Sequence, residues 1–376
     1  MAAAGRHPIV IKPRPDHDFP SHQAAPALRR GTRRIMCSPR FARPAVPDQE
    51  RETLIAMKDR LVTVFGGSGF LGRYVVARLA RTGVRIRVAV RDADRALFLK
   101  PAGDVGQIAI MSCDVTDAAQ VRAALTDASA AINLTGILAE GWGATFDGVH
   151  VQGAGNIAKA AADAGLGALV HVSAIGADPE SSSAYGRTKA AGEAAVREAF
   201  PTAVILRPSI LFGPEDDFFN RFAGMTRISP ALPLIGGGQT RFQPVWVVDV
   251  AEAVVRSLEE PEFAGRTFEL GGPRVYSFAQ ILEYILTTVR KHRGLVPMPW
   301  ALAGVVARFG DLLPGGMAPL TTDQLRMLKR NNVVTEGAEG FAAFGIRPTP
   351  VEAVVPDYLA RYRAWIHRPR DGRAGN

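Results

Sequence analysis

At 376 residues and 40.2 kDa, with 47% hydrophobic and 22% charged residues, the chain is long enough for a substantial buried core in one large or two modest domains. Its two cysteines, Cys37 and Cys113, cannot build a disulfide framework, and no CxxC pair or HExxH sequence offers a zinc site. The net charge of +9 is uneven: residues 1–56 hold ten basic and five acidic residues, which leaves a mildly basic body and no nucleic-acid partner to expect.

Residues 1–56 form a Pro- and Arg-rich extension (KPRPDHDFP, LRRGTRR) with no helical or strand period, which reads as disordered. Met57 opens MKDRLVTVFGG directly ahead of the first expected strand, so translation starting there is one expectation. A transit peptide and a basic tail are the others, and Asp16 and Asp18 count against the former. No apolar run reaches the roughly 18 residues of a membrane span, and the first 35 residues lack the core of a secretory signal, so a reducing, cytosolic-type compartment is expected.

From Leu61 onward, short β-branched runs alternate with Ala-rich helical stretches, the pattern of a parallel sheet covered on both faces. Strands are expected at 61–65, 85–90, 108–113, 130–135, 168–173 and 203–207, with helices at 71–82, 117–125, 146–164 and 184–200. Beyond LRPSILFGP (206–214) the chain turns to Gly/Pro-broken segments, then VWVVDVAEAVVRSL (245–258), a strand at 267–270 and a helix at 278–290. The fold class is α/β, a Rossmann-type doubly wound parallel sheet with a smaller interleaved C-terminal domain. The expected divisions are 57–272, with insertions from about 214, and a helical part over 273–376. Such folds bind ligands outside the carboxyl ends of their strands.

The strongest motif is Gly66-Gly67-Ser68-Gly69-Phe70-Leu71-Gly72, between the first strand and first helix. Gly66 allows a tight turn, Gly69 lets backbone approach a pyrophosphate, and Gly72 lets the helix pack closely, while free N–H groups at the helix start face the phosphate charge. About 20 residues on, where an NAD site shows an acid, the second strand ends in Arg91, a cation suited to a 2′-phosphate. NADP(H) is therefore favoured, although Asp92 and Asp94 just beyond restore NAD(H) if the loop bends inward. Asp114, at the end of the third strand, is placed to accept from an adenine amino group, and Thr116 or Asp117 to cap the helix after it. Thr135-Gly136 closes the fourth strand and permits close backbone approach.

Tyr185-Gly186-Arg187-Thr188-Lys189 is the second strong motif, on the helix after the fifth strand. Residues four apart share a helix face, so the Lys189 ammonium is expected beneath the Tyr185 phenol, lowering its pKa toward acid–base use. Ser173 ends the preceding strand, within reach of a substrate carbonyl.

Together these residues resemble the extended and atypical short-chain dehydrogenase/reductase superfamily, over most of 61–272. The strings VFGGSGFLGRYVV, HVSAIGADPESSSAYGRTKAAGE, LRPSILFGPEDDFFNRFA and QPVWVVDVAEAVV are similar to its branch of nucleotide-binding accessory subunits of respiratory complex I (NADH:ubiquinone oxidoreductase) and bacterial relatives. The resemblance implies a bound NADPH of mainly structural or regulatory use, complex I subunits as partners, and a peripheral place on the inner face of a respiratory membrane, the matrix side in mitochondria. It implies that Gly66, Ser68, Gly69, Phe70, Leu71 and Gly72 hold the pyrophosphate, Arg91 the 2′-phosphate, and Tyr185 and Lys189 the nicotinamide ribose, with Val115 and Pro208 completing the lining. Phe65 stands where a threonine usually precedes the first glycine, and the Ser-Ser-x-x-Val-Tyr-Gly approach to the tyrosine is missing. Both departures count against sugar-nucleotide turnover, not against nucleotide binding.

GLVPMPWALAGVVARFGDLLPGG (294–316) is uncharged from Leu295 through Ala307, too short to span a bilayer. It reads as an amphipathic segment on a membrane or in a partner groove, or as a helix over the pocket. Arg326, Lys329 and Arg330 follow, as a solvated face or as contacts for lipid head groups. The alternative to a subunit or assembly factor is an active oxidoreductase or epimerase with Tyr185, Lys189 and Ser173 as catalytic residues on a hydroxyl/ketone substrate. A scaffold reporting the NADPH/NADP⁺ ratio to a partner is the third reading.

Overall fold

The computed structural model describes residues 60–141, 143–312 and 320–363. The expectations for residues 1–56, for a start at Met57 and for 313–316 fall outside the described residues.

The central sheet has seven parallel strands, β1 (Leu61–Phe65), β2 (Arg85–Val90), β3 (Ile108–Ser112), β4 (Ala130–Asn133), β5 (Ala168–Val172), β6 (Val204–Pro208) and β7 (Thr267–Leu270), in the order β7-β6-β5-β4-β1-β2-β3. All five residues of β1 are buried because both faces are covered. Val62 and Val64 join one core with Val75, Val76 and Leu79 of α1 (Phe70–Ala80) and Val250 and Val254 of α6 (Val247–Glu259). On the other face, Phe65 packs with Val121 of α2 (Ala118–Leu125) and Ile157 of α3 (Gly153–Asp163), and Thr63 donates its hydroxyl to Ala124 O. Consecutive strand residues therefore meet apolar partners on opposite sides. The chain leaves β3 at one edge and re-enters at β4 beside β1, which opens a crevice at the carboxyl ends of β1 and β4.

Helix α3 departs from the regular helix expected over 146–164. Asp147–Gln152 is a wider π turn, and the α-helix begins at Gly153. Helix α4 (Ala184–Ala199) approaches this turn so closely that a Cβ on Gly192 would lie 2.0 Å from the carbonyl oxygen of His150. The His150 side chain is buried. π turns of this kind recur at functional sites.

A third core lies beyond the sheet, where α5 (Phe218–Ile228), α7 (Phe278–Val289), α8 (Trp300–Gly310), α9 (Thr322–Leu328) and α10 (Val351–Leu359) enclose Phe219, Phe278, Ile281, Leu282, Leu325 and Val355. Gly294–Met298, expected as part of an amphipathic stretch, is instead a strand paired in parallel with Ala231–Ile235. The chain then returns to the sheet: Phe341 and Phe344 enter the core of α1 and α6, and Glu269 N donates to Glu339 O at 2.8 Å, covering the β7 edge.

Candidate functional site

The glycine loop sits at the end of β1 with Gly66 at φ +76°, a conformation that favours glycine. A Cβ on Gly66 would lie 3.2 Å from the backbone of Leu134 and Thr135, and one on Gly72 would lie 2.5 Å from Gly66 O. The loop is thus pressed between β4 and α1 with room for backbone alone. Among the described residues no side chain caps α1, and its first turn carries no acid, so its opening N–H groups are left for an anion. Phe70 packs beside Gly213, and Leu71 and Gly72 are buried in the loop–helix junction; Ser68 is half-buried and Gly69 exposed at the mouth.

The neighbouring strand ends bring the other expected residues to the same edge of the sheet. Arg91 is exposed at the end of β2, and its guanidinium has no ion pair among the described residues. Asp92 is turned to Arg95, accepting its backbone N–H at 3.1 Å and pairing with the guanidinium at 3.5 Å. At the end of β3, Asp114 Oδ1 accepts from Thr116 N and Oγ1, while Asp117 caps α2 through Ala119 N and Gln120 N. Val115 is buried against Gly153 of α3. Thr135 donates both its N–H and its hydroxyl to Asn133 Oδ1, which fixes the loop after β4. Pro208 ends β6, and its carbonyl accepts from Ile175 N at 3.0 Å, just beyond Ser173.

Tyr185 and Lys189 lie one turn apart on α4, whose Ser183 N-cap accepts from Gly186 N. The Lys189 ammonium donates to Val172 O at 3.3 Å, and a Cβ on Gly136 would lie 3.2 Å from its Nζ, so β4, β5 and α4 converge on it. Burial pushes Lys189 down to about 8, with Glu193 opposing. The expectation that Lys189 lowers the Tyr185 phenol is corrected: burial alone sets that phenol, and pushes it up to about 12. The lysine points along the strand ends toward the Val172 carbonyl and the β4 loop, and the tyrosine ring is instead packed edge-on against His150 (5.4 Å, 89°) and Phe146 (6.2 Å, 81°). Ser173 is buried, and its Oγ has no hydrogen-bond partner among the described residues.

The model of the NAD dependent epimerase/dehydratase family matches residues 62–271. The chain belongs to this family. Among relatives of this epimerase/dehydratase chain, the mouse protein named NADH dehydrogenase [ubiquinone] 1 alpha subcomplex subunit 9, mitochondrial, is 36% identical over 311 residues, 81% of each chain. Its rat counterpart is 33% identical over 97% of this chain and 95% of its own, and the NADH-ubiquinone oxidoreductase 40 kDa subunit of Neurospora crassa is 33% identical over 80% and 79%. The resemblance read from the sequence is borne out. In fold, the chain is similar to a dTDP-glucose 4,6-dehydratase of Streptomyces venezuelae solved with NAD bound (TM-score 0.62, 17% identity, covering 80% of this chain and 96% of that one). It is equally similar to an NADPH-dependent quinone oxidoreductase of Escherichia coli (TM-score 0.62, 19% identity, 79% and 99%). The glycine cradle and the uncapped helix of this epimerase/dehydratase chain fit a nicotinamide dinucleotide.

Three residues of this family member were not singled out from the sequence. His150 holds the β4 loop through Ile137 N at 3.1 Å. Asp323 of α9 accepts from Ala184 N and Tyr185 N, and Asn332 Oδ1 accepts from Ser209 Oγ and Ile210 N beyond the end of β6. The capping pattern Thr321-x-x-Gln324 marks the start of α9, but nothing local names α4 as its neighbour. Of the three basic residues after the apolar stretch, Arg330 pairs with Asp178 at 2.9 Å, Lys329 lies over the Trp300 ring at 5.5 Å, and Arg326 is exposed.

Proposed function

We propose that this chain is an NADP(H)-binding subunit or assembly factor of respiratory complex I, held at the membrane surface, with the nucleotide mainly a structural or regulatory ligand. The observation that carries the reading is end-to-end similarity to a named complex I subunit, 97% of this chain against 95% of the rat protein, on a chain whose glycine cradle is intact. In this reading Gly66, Ser68, Gly69, Phe70, Leu71 and Gly72 bind the pyrophosphate through backbone, and Lys189 and Tyr185 hold the nicotinamide ribose. Asp114, Val115, Thr135, Gly136 and Pro208 line the path. Arg91 binds the 2′-phosphate, which the engagement of Asp92 by Arg95 supports over an NAD-type acid. The Lys189 ammonium directed to Val172 O, with the Tyr185 ring packed edge-on against His150 and Phe146, supports a holding role for Tyr185 rather than proton transfer.

Among the described residues no helix is long and apolar enough to cross a membrane. Helix α8 instead turns Leu302, Val305, Val306 and Phe309 outward, at spacings of three and four residues, with Leu312 just beyond. We assign this stripe, with Arg308 on the same helix, to the membrane surface or an apolar partner.

One observation favours a second reading: Ser173, Tyr185 and Lys189 are all present, and the Ser173 hydroxyl is buried with no partner among the described residues, as a group that polarises a substrate carbonyl would be. Bound nicotinamide would supply hydride transfer, and the Tyr185 hydroxyl would donate or accept the proton. The test is to purify the protein from gently solubilised native membranes, identify the released nucleotide by mass spectrometry and identify the co-purifying chains. Stoichiometric NADPH with complex I subunits supports the first reading. A free protein with exchangeable nucleotide, and turnover of a carbonyl substrate that Tyr185→Phe abolishes, supports the second.

A further inference from the structure

We propose that His150 is a positioning residue: a neutral imidazole protonated at Nδ1 that fastens the loop after β4 to the helix carrying Tyr185 and Lys189. The proposal deepens the nucleotide-binding reading of this site and rests on it.

The hydrogen bonds run in one direction only. The backbone N–H of Ile137 can only donate, and it lies 3.1 Å from His150 Nε2, so Nε2 carries the lone pair. The proton of the neutral ring is therefore on Nδ1, 3.0 Å from Thr188 Oγ1, which accepts it. Thr188 in turn donates its hydroxyl hydrogen to Ala184 O at 2.8 Å. An amide of the β4 loop is thus linked through imidazole and hydroxyl to the first turn of α4. The same ring stands perpendicular to Tyr185 at 5.4 Å and tilted on Phe146 at 5.5 Å, so it also fixes the tyrosine.

The loop held in this way is the one that faces the ammonium. A Cβ on Gly136 would lie 3.2 Å from Lys189 Nζ and 3.7 Å from His150 Nε2. A second proton, on Nε2, would point at the Ile137 N–H and set two donors head-on, and would add a cation near Lys189 in a buried site. Burial, with Lys189 adding to it, holds the imidazole neutral, down to about 3. The π turn that begins at Asp147 carries the ring inward, so the irregular helix start serves this contact.

Two isosteric replacements separate the two ring nitrogens. The amide nitrogen of Asn reaches the place of Nδ1, whereas the carbonyl oxygen of Gln reaches that of Nε2. Full-length protein titrated with NADPH, followed by nucleotide fluorescence, is expected to bind within about threefold of wild type for His150→Gln. It is expected to bind about tenfold more weakly for His150→Asn, which orphans the Ile137 amide. Equal affinities for the two variants would overturn the proposal. A ¹⁵N-histidine NMR spectrum of the unmutated protein, with the His150 signal assigned by its loss in His150→Gln, is expected to show the Nδ1–H tautomer; the Nε2–H tautomer would overturn it as well. If the wild-type chain did not bind NADPH, the nucleotide-binding reading would fail, while the tautomer spectrum would still decide the fastening itself.

Discussion

Both carboxylate oxygens of Asp323 are spent on the helix of Tyr185, accepting from Ala184 N at 2.6 Å and from Tyr185 N at 3.0 Å. The donors are the free amides of a helix N-terminus, and the acceptor arrives from a helix well over a hundred residues later in the chain. An anion at this end also meets the positive pole of the helix dipole. Asp323→Ala is expected to cost about 1 kcal/mol of stability in urea unfolding. It is also expected to weaken NADPH binding several-fold, because the first turn of α4 frays at Tyr185. Asp323→Asn, which keeps one acceptor, falls between. Unchanged affinity in both variants would make the cap purely structural.

In the proposed NADP(H)-binding reading, Arg91 is the residue that would decide between the two nicotinamide dinucleotides. Its guanidinium is exposed at the end of β2 with no ion pair among the described residues, and Asp92 beside it is occupied by Arg95. On that reading, Arg91→Ala would remove charge-assisted bonds to a 2′-phosphate that NADH lacks. NADPH affinity is expected to fall by roughly 10- to 100-fold, with NADH changing less than about threefold. Parallel titrations with the two nucleotides check this, and an equal loss for both would assign Arg91 to another role.

The sheet was legible because each strand carries its own signal. LVTVF, RIRVAV and AVILR are β-branched runs bounded by turns, and burial on both faces rewards the same residues. The glycine loop was legible for a related reason: Gly66 and Gly72 satisfy local backbone demands. What sequence spacing gets wrong is direction. Tyr185 and Lys189 do share a helix face, but the ammonium's destination is set by Val172 O at the end of β5 and by Gly136 in the loop after β4, which no helical period names. His150, Asp323 and Asn332 escaped for the same reason, since each acts across the chain on a partner fixed by topology. Gly294–Met298 reads as part of an apolar helix until its partner strand, Ala231–Ile235, is known.

Two helical glycines make a controlled contrast. A Cβ on Gly72 would lie 2.5 Å from Gly66 O and 2.6 Å from Gly67, all backbone, whereas one on Gly155 in α3 would lie 3.6 Å from the Ala195 Cβ, an ordinary contact. Gly72→Ala is expected to cost about 1–3 kcal/mol and to abolish nucleotide retention through purification, because the cradle must open. Gly155→Ala is expected to be neutral or to stabilise by up to about 1 kcal/mol. Thermal unfolding and the nucleotide content of each purified variant test the pair.

The buried histidines set the acid limit. Burial pushes both His150 and His171 down to about 3, with Lys189 adding to each, so between pH 3 and the usual 6.5 they stay neutral in the folded chain while the unfolded chain takes up protons. Stability is therefore lost as pH falls below about 6.5, by about 2 kcal/mol per histidine at pH 5. The variant His150→Gln should lose about 2 kcal/mol less than wild type between pH 7 and 5 in urea unfolding. An identical acid limb in the two proteins would mean that His150 is protonated in the fold.

Lys189 acts on the alkaline side with the same sign. Its folded pKa of about 8 lies below the ordinary 10.5, because burial penalises the ammonium more than Glu193 helps it. Below pH 8 both states hold the proton, and the folded chain bears the full desolvation cost. Between pH 8 and 10.5 the folded state releases the proton while the unfolded state keeps it, so the contribution of this group to stability rises with pH. The full gain is about 3 kcal/mol, roughly half of it reached by pH 9 to 9.5. Above the ordinary tyrosine value of 10 the trend is opposed, because Tyr185, at about 12, then binds more protons folded than unfolded. Lys189→Met, with a similar stem and no charge, is expected to be more stable than wild type at pH 7 and to lose the rise between pH 8 and 9.5. Ribose hydroxyls accepting from Lys189 would favour the ammonium, so NADPH binding at pH 8.5 should take up a fraction of a proton. Calorimetry in buffers of different ionisation enthalpy reads that uptake directly; its absence in wild type, or its persistence in Lys189→Met, would place the proton on another group.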